Sequence, residues 1–333
     1  MDDDYDRLAE SLFSISLSLL SVPADFELDA AEKEAKDRLS RYMKRSPSDD
    51  TQRVLTSFIE YLPARGKLTV SKFITASQAD DRLFELAEHF STAIFIPMRA
   101  HGGKTPAVTP SPLDDAELEI DAEQQRLKTM CLKRDGYRCV ITGFYDYEAT
   151  KVFSAAQIGS QIIDTQLAHI IPYSVGKYDK NHGQIARTWA TLYALFPDLR
   201  DKANFTADDI NHPSNAMPLF GPLHTELGRL NLALEPTDKE NTYVIRTYHG
   251  FRALMFRDLP LPNKNNERIV TFNKHDDYDL PSPVLLSTHA TIAKILHASG
   301  KAESIDEILR DRSELRCLAP DGSTSNLALL LSF

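Results

Sequence analysis

The chain has 333 residues, a hydrophobic fraction of 42% and a formal net charge of −10. That length holds a sizeable core and predicts more than one domain; the composition is that of a soluble globular protein, and no apolar run is long enough to span a bilayer. The acidic start Met1-Asp2-Asp3-Asp4-Tyr5-Asp6 argues against a secretory or mitochondrial leader. An intracellular protein of nucleus or cytoplasm, with no signal peptide and no membrane partner, is therefore expected. Three cysteines, Cys131, Cys139 and Cys317, are odd in number and lack knuckle spacing, which suits free thiols in a reducing compartment. Charge is uneven. Residues 126 to 258 carry 16 Lys+Arg against 14 Asp+Glu, so the acidity lies in the flanks. A near-neutral middle permits contact with a polyanion through a local basic face.

In chain order, residues 1–100 read as a helical domain. Leu28, Ala31, Ala35, Leu39 and Tyr42 recur at three- and four-residue steps, and Val54, Leu55, Phe58, Ile59 and Leu62 form a second stripe before Pro63. Ser77 followed by Asp80 reads as a helix start ahead of Leu83, Leu86, Ala87 and Phe90. Core packing explains such stripes most simply. A protein partner or self-association through these N-terminal helices is the other use of a narrow apolar seam. Residues 101–115, rich in Gly, Pro and Thr, are a linker by composition.

Residues 116–258 read as a mixed domain. A helix from about Asp114 to Lys133 should close at Gly136, a short β run should cover Tyr137 to Gly143, and a second strand should run from Ser160 to Pro172. Within that strand lies Gln166-Leu167-Ala168-His169-Ile170-Ile171-Pro172-Tyr173. Pro172 cannot donate to a ladder, so His169 sits close to a strand end, facing solvent or substrate. A half-buried His satisfied by a backbone carbonyl is the plainer alternative. A helix follows near Gln184 to Phe196, then a tight loop and short strand over Asn211 to Leu219. Gly221-Pro222 opens a helix with Leu223, Leu227 and Leu230 on its buried side and His224 about 100° round from Leu223. Leu232 to Leu234 and Tyr243 to Ile245 close the domain as paired strands. Residues 259–333 read as loop as far as Pro281, then as a C-terminal helical extension. One helix runs from Ser282-Pro283 to Gly300, and another opens with a capping box at Ser304 and Glu307.

Four pieces in order carry a resemblance: Cys131-Leu-Lys-Arg-Asp135-Gly-Tyr-Arg-Cys139-Val-Ile-Thr-Gly143, Ala168-His169-Ile-Ile-Pro172, Ile210-Asn211-x-Pro213-x-Asn215-x-x-x-Leu219, and Leu223-His224. Over roughly residues 126 to 250 the chain resembles the HNH endonucleases, and among them the branch common in fungal proteins with a short Arg-Cys-Val-Ile-Thr-Gly lead-in. The resemblance implies an α+β fold: an HNH-type ββα-metal core flanked by N-terminal and C-terminal helical segments. It implies a metal-dependent DNA endonuclease in which His169 is the general base and His224 a ligand of one divalent ion, Mg²⁺ or Mn²⁺. Asn215 ties the loop, or coordinates, so that the base is aimed. Lys177 and Arg229 are candidate phosphate contacts, and DNA is the expected partner.

Where such proteins usually place an acidic residue or His just before the base, this chain has Ala168, and one turn after the helix His it has Gly228. Weak metal affinity is expected, and no structural zinc, since paired cysteines are absent. These two positions also keep open a second reading, a catalytically inactive HNH-like module for nucleic-acid or protein binding.

Overall fold

The computed structural model of the chain describes residues 2–19, 24–99, 115–176 and 182–314. All but the last residue of the 101–115 linker, together with Lys177 and Cys317, lie outside the described residues. The chain divides into two compact units, residues 1–98, 177–206 and 294–333, and residues 99–176 and 207–293. No described helix is long and apolar enough to cross a membrane.

The first unit is helical. Its described helices include Asp2–Ser18, Ala24–Ser40, Thr51–Tyr61, Ala64–Ala76, Asp80–Phe90, His182–Leu195 and Ala302–Glu314. The stripes seen in the sequence are spent on its core. Ala31, Ala35, Leu39 and Tyr42 are buried, as are Val54, Leu55, Phe58, Ile59 and Leu62. Phe58 stacks on Phe90 with ring centroids 4.0 Å apart. At Gly66 any Cβ would run into the carbonyl oxygen of Leu195, so glycine there lets two helix backbones meet. Ser77 does not open the helix Asp80–Phe90. It closes Ala64–Ala76, its hydroxyl donating to Phe73 O at 2.8 Å, and Ala79 stands at the following N-cap. Ser304 likewise lies inside the helix Ala302–Glu314 and donates back to Lys301 O at 3.0 Å rather than capping.

The second unit is the mixed one, an α+β arrangement of short sheets and helices. Strand Thr165–His169 pairs antiparallel with Ala216–Phe220, setting His169 opposite Ala216 and Gln166 opposite Leu219. The helix Gly221–Gly228 follows the second strand without a break. This ββα hairpin-and-helix unit is the part that positions the site. A three-stranded antiparallel sheet, Leu232–Pro236, Thr242–Thr247 and Arg268–Thr271, completes the unit. Its last strand falls inside the stretch read from sequence as loop.

Two further expectations are corrected. The segment Tyr137 to Gly143 is a turn with one isolated bridge, Arg138 to Tyr145, rather than a β run. Gly143 at φ +73° returns its N–H to Cys139 O at 2.9 Å, and the Cys139 sulfur takes the backbone N–H groups of Thr142 and Phe220. The strand expected from Ser160 to Pro172 is two pieces, Ile162–Ile163 and Thr165–His169. Buried Asp146 explains the second start: it accepts both the N–H of Thr165 (2.8 Å) and its hydroxyl (2.5 Å).

The helix Gly221–Gly228 ends on Leu230, a non-glycine residue at φ +57°. Its N–H reaches Leu227 O and the next N–H, of Asn231, reaches Glu226 O, both at 2.9 Å. These are the two bonds of a Schellman cap, a site that usually takes glycine. A left-handed leucine costs about 1–2 kcal/mol; fully burying its side chain offsets that by about 1.5–3 kcal/mol.

The helix Asp115–Arg134 is locked to the hairpin by its last residue. The Arg134 guanidinium is fully buried, grips both carboxylate oxygens of Asp135 at 2.8 and 2.6 Å, and donates to the carbonyls of Pro213, Ala216 and Asp279. Arg134→Met should therefore cost about 3–5 kcal/mol, because Asp135 is left as a buried charge without its partner. Urea unfolding of the variant measures this, and a loss below about 1 kcal/mol would contradict the assignment.

Two buried histidines make stability depend on pH. Burial pushes His89 in the first unit down to about 3, a shift added to by Arg187 and opposed by Asp6. Burial pushes His289 in the second unit down to about 4, opposed by its bond to Leu227 O. An unfolded histidine titrates near about 6.5, so the unfolded chain binds more protons below that pH. The stabilisation is complete above about pH 6.5 and is lost as pH falls toward 4 and then 3. Thermal melting should show a lower Tm at about pH 5 than at about pH 7.5, with a smaller drop in His289→Gln. An unchanged Tm over that interval would contradict it.

Candidate active site

The strand Thr165–His169 and the helix Gly221–Gly228 bring together the two histidines singled out in the sequence. His169 is half-buried at the strand end. Its Nε2 donates to Asn211 Oδ1 at 3.1 Å, and its ring packs at a tilt against Tyr173, centroids 5.8 Å apart. An amide oxygen only accepts, so the proton belongs on Nε2 and the lone pair on Nδ1. Nδ1 has no partner among the described residues.

His224 is buried on the first turn of its helix, and its Nδ1 donates to Gln166 Oε1 at 2.7 Å. By the same reasoning its lone pair lies on Nε2, which again has no partner among the described residues. The two rings are thus held as opposite tautomers, each with one nitrogen tied to a side-chain amide and the other open. Burial pushes the His169 imidazole down to about 4, opposed by the bond to Asn211 and reinforced by the proximity of His224. Burial alone lowers His224. Both rings are neutral at neutral pH, the state that a general base and a metal ligand require.

Asn215 is fully buried and spends its whole amide on backbone. Its Oδ1 accepts from Ile171 N–H at 2.8 Å, and its Nδ2 donates to Ile171 O and Ile210 O, each at 2.9 Å. Its own carbonyl accepts from Ile170 N–H at 2.8 Å. It is a staple between the chain just past His169 and the loop that carries Asn211. Arg229 is exposed at the C-cap of the helix.

The helix bearing His224 is fixed from other sides as well. His289 Nε2 donates to Leu227 O at 3.2 Å, and fully buried Glu226 pairs with Arg252 at 3.0 Å and accepts from Asn231 at 3.0 Å. Ala168 is fully buried and pairs with Met217 across the hairpin. Among the described residues no three His, Cys, Asp or Glu side chains cluster as a metal cage. The donor set fits an ion held at one protein atom, His224 Nε2, whose ring is oriented from behind by Gln166 as metal-binding imidazoles usually are.

Three residues of this site were not picked out from the sequence: Gln166, Asn211 and Gln124, whose Nε2 donates to Asn211 Oδ1 at 2.9 Å. Asn211 stood within the quoted motif but nothing gave it a role. Gln166 and Gln124 carry no local signal, because their partners are set by strand register and helix docking.

Residues 139–235 match the family model described as HNH endonuclease. The matched span runs through the hairpin and the His224 helix. No curated protein and no solved structure matched the chain.

Asn215→Ala removes three hydrogen bonds and strands the buried N–H of Ile171. It should cost about 2–4 kcal/mol in urea unfolding. A cost under about 0.5 kcal/mol would show that the staple is dispensable.

Proposed function

We propose that this protein is a metal-dependent DNA endonuclease with His169 as general base and His224 as the protein ligand of the metal. The observation that supports the reading best is that each ring has one nitrogen bonded to a side-chain amide oxygen, which sets the two as opposite tautomers. His169 offers a lone pair at Nδ1 to take a proton, and His224 offers one at Nε2 to a cation. A water deprotonated by His169 attacks phosphorus, the bond to the 3′-oxygen breaks, that oxygen takes a proton from solvent, and the products are a 5′-phosphate and a 3′-hydroxyl. The proton passes to His169 Nδ1 and leaves to solvent as the ring returns to its neutral form. His224 would hold a divalent ion, Mg²⁺ or Mn²⁺, together with substrate phosphate, and the positive charge would stabilise the departing oxygen. Asn215 keeps the base on its strand end, and Gln166 keeps His224 facing the substrate. Arg229 is a candidate phosphate contact; so is Lys177, from its sequence position.

A specific observation favours the second reading, an inactive module that binds nucleic acid or protein: Ala168 is buried where a second ligand would stand, and the described residues hold no three-donor cluster. Supercoiled plasmid incubated with Mg²⁺ or Mn²⁺ decides between them. Wild type should nick it, and His169→Ala should lose about 10²–10⁴-fold in rate. His224→Ala should need at least about tenfold more metal for half-maximal rate. Uncut plasmid with folded wild-type protein in both metals would transfer the assignment to the binding module.

A further inference from the structure

We infer that Gln124 and Asn211 form a positioning relay that fixes the proton of His169 on Nε2 and aims Nδ1 at the attacking water; this rests on the nuclease reading above. Neither residue touches the reacting atoms.

The geometry of Asn211 carries the inference. Its Oδ1 takes two donors at once, His169 Nε2 at 3.1 Å and Gln124 Nε2 at 2.9 Å, which uses both of its lone pairs. Its Nδ2 is buried and meets no acceptor among the described residues. Asn215, a few residues away, satisfies both ends of its amide with three bonds to backbone. Asn211 leaves its donor end unmatched so that its acceptor end faces two donors. With Gln124 as placed, turning the Asn211 amide over would set its NH₂ against the Gln124 NH₂, donor facing donor. The unmatched donor is a recurring cost, and what it secures is a single tautomer of the neighbouring imidazole.

The relay is anchored at both ends. Gln124 stands on the helix Asp115–Arg134, whose last residue grips the Pro213 and Ala216 carbonyls. Asn211 follows Ile210, whose carbonyl is held by Asn215. The helix, the loop and the strand end therefore meet on one oxygen atom. With Nε2–H committed to that atom and Tyr173 beside the ring, Nδ1 is the nitrogen left to act. Without the acceptor at Asn211, the imidazole is free to carry its proton on Nδ1, the form that is unable to take one from water.

The test uses the full-length protein and the variants Asn211→Ala, Asn211→Asp and Gln124→Ala, with two independent readouts. The first is ¹⁵N NMR of the His169 ring, which reports the protonated nitrogen without any substrate. The second is steady-state cleavage of plasmid DNA with Mn²⁺. Wild type should show the Nε2–H form. Asn211→Ala should show a mixture and lose about 10–100-fold in kcat with KM for DNA unchanged, the scale of an orienting partner. Asn211→Asp, which presents an acceptor oxygen in the same place, should restore the Nε2–H form and most of kcat. Gln124→Ala should fall between. A wild-type tautomer and kcat in Asn211→Ala, or Asn211→Asp no better than Asn211→Ala, overturns the relay. Where Asn211→Ala fails to fold, Asn211→Asp and Gln124→Ala carry the comparison. Should wild type leave DNA intact, the nuclease reading fails, and the NMR arm still decides the relay: an Nε2–H form lost in Asn211→Ala supports it, an unchanged one overturns it.

Discussion

The site hangs on the side-chain amide of Asn215. The two chain segments that must meet are distant in sequence: the strand end carrying His169, and the loop carrying Asn211. Asn215 bonds the backbone of Ile171 on one side and of Ile210 on the other. Its own carbonyl extends the ladder to Ile170. Because it is fully buried, these bonds form away from competing water, where breaking one leaves a costly unpaired group. The asparagine thus contributes rigidity rather than a reacting atom. It converts two flexible ends into a platform on which the imidazole of His169 can be oriented by a second amide.

A similar logic operates one layer out. Arg134 collects the carbonyls of Pro213 and Ala216, which flank Asn215, and the carbonyl of Asp279. Buried carboxylate Asp135 balances its charge. The cation therefore serves as a knot that ties a helix end, the loop before the second strand and a later segment. On the opposite side of the chemistry, His224 is aimed by Gln166 and its helix is tethered through Leu227 by His289. Each imidazole of the site is thus flanked by an amide, and each amide sits on an element that packing has already fixed. In the proposed reaction a single metal-facing nitrogen would make binding of the ion depend on what the substrate phosphate adds, which would couple ion and DNA to one another.

Much of this arrangement could be read from the residue order. His169 at a strand end followed from Pro172, and the His224 helix followed from Gly221-Pro222 and the leucine spacing; both are local signals with a direct steric cause. The stripes of the first unit were legible for the same reason. Other features were hidden. The chain from Tyr137 to Gly143 has β-forming residues, yet Cys139 draws the N–H of Thr142 onto its sulfur and the segment turns. Strand Arg268–Thr271 is short and lies among polar, loop-forming residues, so only its pairing with Thr242–Thr247 reveals it. Ser77 and Ser304 matched a start pattern, but their hydroxyls back-bond to carbonyls four and three residues earlier. The amides that select the tautomers were the least legible. A glutamine three residues before His169 gains meaning only once strand register and helix docking place it under His224.

The central claim is that the open nitrogens of His169 and His224 face one ion-and-phosphate site. Paramagnetic line broadening tests it most directly, with Mn²⁺ titrated into the protein bound to a short DNA duplex and the histidine ring resonances followed. The account requires the His224 signals to disappear first and those of His169 next, ahead of every other histidine. Broadening that spares His224 and His169, or reaches other histidines before them, would contradict it.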